Sequence, residues 1–330
     1  MLRRVLKYIR DNALLQPQDK VLVCVSGGAD SVALLDVLRR GGYDCEVAHC
    51  NFHLRGTESD RDEQFVRTLC SEMKVRLYVK DFDTFLYARE RNVSVELAAR
   101  ELRYTWFEQL AKELGCQAIA VAHHQNDQAE TVIMNLRRGT GIRGLCGMRC
   151  KSWCPTFADE SVKCKVERSF EVNKLKVERV PLIRPLLCTT HDYICHYLKD
   201  IRHIDWVEDS TNSDTKYRRN AIREELKSYS KAEIEHIAKT AEIMQQFVKE
   251  HTKHYGLIGK PLEHSFSKQW FTEFFEREHI LADYSEIEGP LSLKDRCAEG
   301  LDGYNVTYPY KEEIMSHLEQ IDEVAKKIGA

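Results

Sequence analysis

The residues whose types and order point most directly to chemistry are Ser26-Gly27-Gly28-Ala29-Asp30-Ser31. They follow an apolar run at 21–25 and open a helical pattern at 30–40. Two adjacent glycines let backbone N–H groups approach phosphate oxygens, and the helix that follows adds the positive end of its dipole. Ser26 and Ser31 can donate hydroxyl hydrogen bonds, with Ala29 completing the turn. Asp30 would repel bare phosphate, so it is read as the ligand of a magnesium ion that bridges the phosphates. A Walker-type loop is excluded, because no Gly-Lys-Ser/Thr closes the turn. Gly139-Thr140-Gly141-Ile142-Arg143-Gly144 matches the dinucleotide-binding pattern by letters, but it follows a helical pattern where that site requires a strand.

A phosphate loop of this kind needs a buried strand before it and an amphipathic helix after it. The first half of the chain supplies a series of such units. Strand patterns at 21–25, 46–50, 75–80 and 118–123 alternate with helical periodicity at 30–40, 58–73, 95–114 and 128–138. Alternation of this length implies an α/β fold with a doubly wound parallel sheet covered on both faces. In such a sheet the loops after successive strands converge on one edge, so His49, His123, His124 and Asp127 are expected to face the glycine loop. Residues 149–179 are polar and without clean periodicity, and read as an insertion. The pattern 231–253 is one amphipathic helix expected to bury Ile234, Ile237, Ala238, Ala241, Ile243, Met244 and Phe247. A new strand–turn–helix begins at Tyr255. The expected layout is therefore a nucleotide domain at 1–228, a helical linker at 229–253 and a second, smaller α/β domain at 254–330.

The bulk composition agrees with a globular protein: 330 residues, 43% hydrophobic and 31% charged, with a net charge of −3. The basic N-terminal segment reads as an amphipathic helix, and no apolar run is long enough to span a bilayer, so a cytoplasmic protein is expected. The twelve cysteines are accordingly expected to be reduced. Cys146, Cys150, Cys154 and Cys164 lie in a polar stretch with spacing unlike that of zinc ribbons, and read as thiols of the insertion. Charge is unevenly spread. Between Arg137 and Lys151 there are five basic residues and no acidic one. Arg137, Arg138 and Arg143 in this run, with Arg218 and Arg219 further on, are candidate contacts to a phosphate-rich partner.

The glycine loop resembles the signature of the ATP-pyrophosphatase superfamily. Further segments resemble the tRNA(Ile)-lysidine synthetase family in that family's order. They are His49-Cys50-Asn51-Phe52-His53-Leu54-Arg55, then Glu96-Leu97-Ala98-Ala99-Arg100-Glu101-Leu102-Arg103-Tyr104, then His123-His124-Gln125-Asn126-Asp127-Gln128-Ala129-Glu130-Thr131. Ile183-Arg184-Pro185-Leu186-Leu187, Glu208-Asp209-Ser210-Thr211-Asn212 and Tyr217-Arg218-Arg219-Asn220-Ala221-Ile222-Arg223 complete the set. The resemblance implies an adenine nucleotide alpha hydrolase-like fold. It also implies a ligase that uses ATP and magnesium to adenylate the wobble cytidine of isoleucine tRNA, tRNA(Ile), and join L-lysine to it. It assigns Ser26–Ser31 to the ATP phosphates, Asp30 to magnesium, His123 and Asp127 to the adenylate and the lysine amine, and Arg103 and Arg223 to neutralising negative charge. Asn126 departs from the aspartate usual in the family, which argues against a magnesium ligand there.

From Tyr255 the resemblance changes. Tyr255-Gly256-Leu257-Ile258-Gly259-Lys260-Pro261-Leu262-Glu263-His264-Ser265-Phe266-Ser267 and Gly303-Tyr304-Asn305-Val306-Thr307-Tyr308-Pro309-Tyr310-Lys311 are similar to the substrate half of shikimate dehydrogenase. That similarity assigns Ser265, Ser267 and Thr307 to the carboxylate and hydroxyls of shikimate, and Lys311 to acid/base chemistry. The chain is expected to lack the NADP half and to oxidise no shikimate. Three readings stay open: a tRNA-modifying ligase fused to a shikimate-binding module, a shikimate dehydrogenase fragment, and a non-catalytic fusion.

Overall fold

In the computed structural model, the described residues are 1–155, 179–208, 218–260, 262, 265–278, 280–288 and 301–310. They fall into two compact units, residues 1–139 with 144–241, and residues 140–143 with 242–330.

The first unit begins with α1 (Leu2–Asp11), β1 (Lys20–Cys24), α2 (Ala29–Arg40) and β2 (Asp44–Asn51). It continues through α3 (Thr57–Met73), β3 (Arg76–Asp81), α4 (Thr84–Arg91), α5 (Val95–Glu113), β4 (Ala118–Ala120) and α6 (Gln125–Arg137). After α7 (Ile142–Leu145), which spans the division between units, come β5 (Lys151–Trp153), β6 (Pro181–Ile183) and α8 (His191–His196), which runs on as a π-helix over Tyr197–Arg202. Then follow α9 (Arg218–Leu226) and α10 (Lys231–His251), whose residues from Glu242 belong to the second unit.

The sheet order is β3-β2-β1-β4-β6-β5, parallel except for β5, which pairs antiparallel with β6 at the edge. Alternate residues of β1 serve opposite faces, as the pleat requires. Val21 and Val23 pack with Val5 and Ile9 of α1 and with Val32–Leu38 of α2. Leu22 packs on the other face with Phe107, Leu110 and Ala111 of α5. Both faces are therefore apolar and covered, as the near-continuous apolar run of β1 demands.

Several elements differ from the sequence pattern. The strand β2 extends through His49 to Asn51, so His49 lies within the strand and not past its end. The strand β4 stops at Ala120, and α6 begins at Gln125, earlier than periodicity alone places it. The region read as an irregular insertion opens with a strand, β5, which is too short to show alternation. Most of that region lies outside the described residues.

The second unit contains β7 (Lys253–Gly259), α11 (Ser267–Arg277), β8 (Ala282–Glu288) and β9 (Gly303–Val306), with a parallel sheet of order β8-β7-β9. Leu257, Leu262, Phe275, Ala282 and Tyr284 form its core. Among the described residues no helix is long and apolar enough to cross a membrane.

Candidate functional site

In this sheet the chain leaves β1 to one side through β2 and returns on the other through β4. The carboxyl ends of β1 and β4 thus flank a topological switch point, where open α/β sheets bind ligands. The register Val21↔Ala118 and Val23↔Ala120 sets the loop after β1 beside the loop after β4. The pairing Ala120↔Ile183 adds the loop after β6.

The glycine loop is braced from within. Ser31 Oγ accepts hydrogen bonds from the amides of Ser26 and Gly27 at 3.2 and 3.3 Å and donates to the Gly28 carbonyl at 2.9 Å. Ser26 Oγ accepts from the Gly28 amide at 3.4 Å. In this state Ser31 therefore holds the shape of the turn. Gly27 has φ +99°, a conformation that side-chain-bearing residues rarely adopt. A Cβ on Gly28 would meet Ser26 Oγ at 3.7 Å and the Val207 carbonyl at 3.8 Å, ordinary contacts that leave room for it. The fold around the loop is closed by His49, whose Nδ1 donates to the Val25 carbonyl at 2.8 Å. On the other side the Val207 amide donates to the Gly27 carbonyl at 2.9 Å. Val207 leads into the Glu208–Asn212 motif, of which 209–212 lie outside the described residues.

Asp30, in the first turn of α2, is held between two imidazoles. Its Oδ1 is 2.9 Å from His191 Nδ1, and its Oδ2 is 3.5 Å from His124 Nε2. Burial alone would raise the Asp30 carboxyl, but the hydrogen bonds to His124 and His191 hold it well below the usual carboxylate range. The same bond to Asp30, helped by Cys195 at 3.4 Å from Nε2, pushes the His191 imidazole up to about 10. His124 is the N-cap of α6. Its Nδ1 accepts the Asn126 amide at 3.2 Å, and its own amide donates to Asp127 Oδ2 at 3.0 Å. Burial disfavours charge on His124, yet the Asp127 and Asp30 carboxylates raise its pKa. The capping bond needs a lone pair on Nδ1, so the proton sits on Nε2, facing both carboxylates.

The residues named from sequence are distributed as follows. Ser26, Gly27, Gly28, Ala29, Asp30 and Ser31 form the loop and the first turn of α2. Asp127 joins the site, engaged as a cap. His123 is in the same β4–α6 connection, but it is His124 that reaches Asp30. Arg223 lies on α9, its Nε donating to buried Glu130 Oε1 at 2.8 Å, with a terminal nitrogen 3.9 Å from Asp127 Oδ1. Arg103 rests over the Phe52 ring at 5.0 Å. Arg137 is paired with Glu225, and Arg143 donates to the Ala282 carbonyl within the second unit. The side chains of Arg218 and Arg219, and Lys311, lie outside the described residues. In the second unit Ile258 pairs with Val306, so the turn at Gly259 and Thr307 leave one sheet edge together. A Cβ on Gly259 would stand 2.2 Å from Thr307 Cγ2, so only glycine permits that approach. Ser265 Oγ accepts the Ser267 amide at 3.3 Å.

Sequence reasoning missed His191 and did not single out Glu130; it expected His124 to face the loop but gave the adenylate role to His123. His191 stands alone in Thr189-Thr190-His191-Asp192, with no motif to flag it. Its position after the strand that neighbours β4 was the signal, and that required the sheet order.

Among the described residues, Asp30, His124 and His191 form the one cluster that could hold a cation, with donor atoms within 4.8 Å of one another. Magnesium takes oxygen ligands, usually one or two carboxylates plus substrate phosphates. One carboxylate is present, so the residues fit magnesium delivered on ATP and not a resident magnesium cage.

The PP-loop domain family matches residues 1–230, and the shikimate dehydrogenase substrate binding domain matches residues 257–330. The tRNA(Ile)-lysidine synthase of Bacteroides thetaiotaomicron is 49% identical over 221 residues, which is 67% of this chain and 45% of that protein. The chain thus spans less than half the length of that relative. The tRNA(Ile)-lysidine synthase of Chlorobaculum tepidum is 34% identical over 306 residues, 87% of this chain and 83% of that protein. Among solved structures, the U34-tRNA thiolase NcsA of Methanococcus maripaludis shares the fold, with TM-score 0.50 and 16% identity over 74% of this chain and 80% of that one.

Proposed function

Because the chain belongs to the PP-loop domain family and its tRNA(Ile)-lysidine synthase branch, we propose that it uses ATP to join L-lysine to the wobble cytidine of isoleucine tRNA. The cytidine carbonyl oxygen attacks the α-phosphate of ATP and pyrophosphate leaves. The lysine amine then attacks carbon 2, AMP departs with the oxygen, and the amine loses a proton.

The observation that carries this reading is the Asp30 carboxylate at the mouth of the glycine loop, flanked by groups from the loops after β4 and β6. The N-terminus of α2 and the loop amides bind the triphosphate. Asp30 would hold the magnesium that accompanies ATP, which would neutralise charge on the triphosphate. His191, whose imidazole the Asp30 carboxylate holds protonated, lies beside the loop and would balance phosphate charge. The Glu130–Arg223 pair fixes α9 against α6 and keeps a guanidinium near Asp127. Arg137, Arg138, Arg143, Arg218 and Arg219 contact tRNA phosphates. The C-terminal unit binds a shikimate-like polyol acid through Ser265, Ser267, Thr307 and Lys311, a separate reading favoured by its family match.

The test is magnesium-dependent exchange of labelled pyrophosphate into ATP, with and without tRNA(Ile), followed by incorporation of labelled lysine. Exchange that needs the tRNA supports the reading. Lysine transfer to tRNA without ATP consumption, or exchange indifferent to tRNA(Ile), counts against it.

A further inference from the structure

Two imidazoles and one carboxylate are a poor set for magnesium and a good one for a late first-row transition metal, to which imidazole binds well. We propose that Asp30, His124 and His191 form a binding site for a divalent transition metal of the zinc and cobalt class, and that its occupancy excludes magnesium-bound ATP. The argument rests on spacing. In a tetrahedral site with bonds of about 2.1 Å, neighbouring donor atoms are about 3.4 Å apart. Asp30 Oδ1 and His191 Nδ1 are 2.9 Å apart, and Asp30 Oδ2 and His124 Nε2 are 3.5 Å apart. The two contacts use different carboxylate oxygens, so binding through one of them requires the imidazole on the other oxygen to close on it; one donor atom from each residue already lies within 4.8 Å of the other two.

The surroundings suit a metal as well. The His191 ring is held at its far nitrogen by Cys195, and its amide donates to Asn126 Oδ1 at 3.1 Å, which fixes the ring's direction. The His191 side chain is 46% exposed while that of His124 is 9% exposed, so the site opens to solvent on one side only. Coordination at His124 Nε2 moves the ring proton to Nδ1 and gives up the capping bond from Asn126. Exclusivity follows from the carboxylate count: both the transition metal and the magnesium of ATP claim Asp30. This second claim rests on the proposed nucleotide site, whereas the metal site itself does not.

The experiment is titration of the full chain with Co²⁺, followed by its visible absorption. One equivalent is expected to give ligand-field bands, and Zn²⁺ to displace it. His191→Asn and His124→Asn, the latter keeping a capping acceptor, are each expected to weaken cobalt binding roughly 10-fold or more. Unchanged affinity in both variants, or an intense thiolate charge-transfer band placing the metal on cysteines, would overturn the site. Excess magnesium-ATP is expected to weaken cobalt binding. Cobalt retained unchanged while ATP is bound would overturn the exclusivity. A chain that binds cobalt through these residues but binds no ATP would count against the nucleotide reading alone.

Discussion

His191 Nδ1 lies 2.9 Å from Asp30 Oδ1 across 161 residues of sequence, joining the helix after β6 to the glycine loop after β1. That bond ties the charge state of the loop to an element no sequence motif marks. The site therefore depends on groups with separable roles, and substitutions can tell them apart.

Asp30→Asn keeps the size of the side chain and removes the charge that magnesium requires. Pyrophosphate exchange is expected to fall by roughly 100-fold or more, on the scale of removing one charged stabilising group. Thermal unfolding is expected to shift by only a few degrees, because Asp30 is partly exposed. Exchange within about threefold of the parent would remove Asp30 from the reaction.

The two glycines of the loop should separate shape from ligand approach. Gly27 has φ +99°, so Gly27→Ala is expected to cost about 1–3 kcal/mol of stability. Gly28→Ala meets ordinary contacts of 3.7 and 3.8 Å and is expected to leave stability unchanged while weakening ATP. Urea unfolding with and without ATP reads both effects. Full ATP affinity in Gly28→Ala would mean that phosphate does not approach the loop at Gly28.

Glu130 is buried and paired with Arg223. Arg223→Leu removes the cation paired with that carboxylate and is expected to cost about 3–5 kcal/mol. The double variant Glu130→Leu/Arg223→Leu is expected to recover much of that loss in urea unfolding while ligase activity stays low. Equal destabilisation in the single and double variants would show that the pair is not the source of the cost.

His49 makes one contribution to the pH dependence of stability, opposite in sign to those of His124 and His191, whose pKa values are raised. Burial holds its imidazole below the ordinary 6.5, against a smaller opposing effect of its bond to Val25. The unfolded chain therefore binds the proton more tightly than the folded one. The His49 contribution is full above about 6.5 and declines as pH falls from there through the lowered folded value. His49→Gln is expected to flatten that slope between pH 7.5 and 5.5. An unchanged slope would assign the effect to other groups.

Binding of tRNA is expected to weaken steeply with salt, since each phosphate contact releases counterions. Replacing Arg137, Arg138 and Arg143 with glutamine should reduce the slope of log affinity against log salt. Because Arg137 already pairs with Glu225, its share of the change should be smaller than that of Arg138. A slope unaltered in the triple variant would make this run ordinary surface.

The sequence by itself determined the strand, the glycine turn and the helix that follow one another at residues 20–40, because a phosphate loop is made of contiguous backbone. It also determined the alternation that implies a parallel sheet, since both faces of β1 must be apolar. Which loops meet was decided only by tertiary structure. The order β2-β1-β4-β6 sets three carboxyl ends side by side, and neither His191 nor the partner of Arg223 is implied by any local period. The choice between His123 and His124 turned on where β4 stops: with the strand ending at Ala120, His124 becomes the cap of α6 and points at Asp30. Side-chain direction at a strand end changes with each residue, and a sequence pattern places such ends to no better than a few residues.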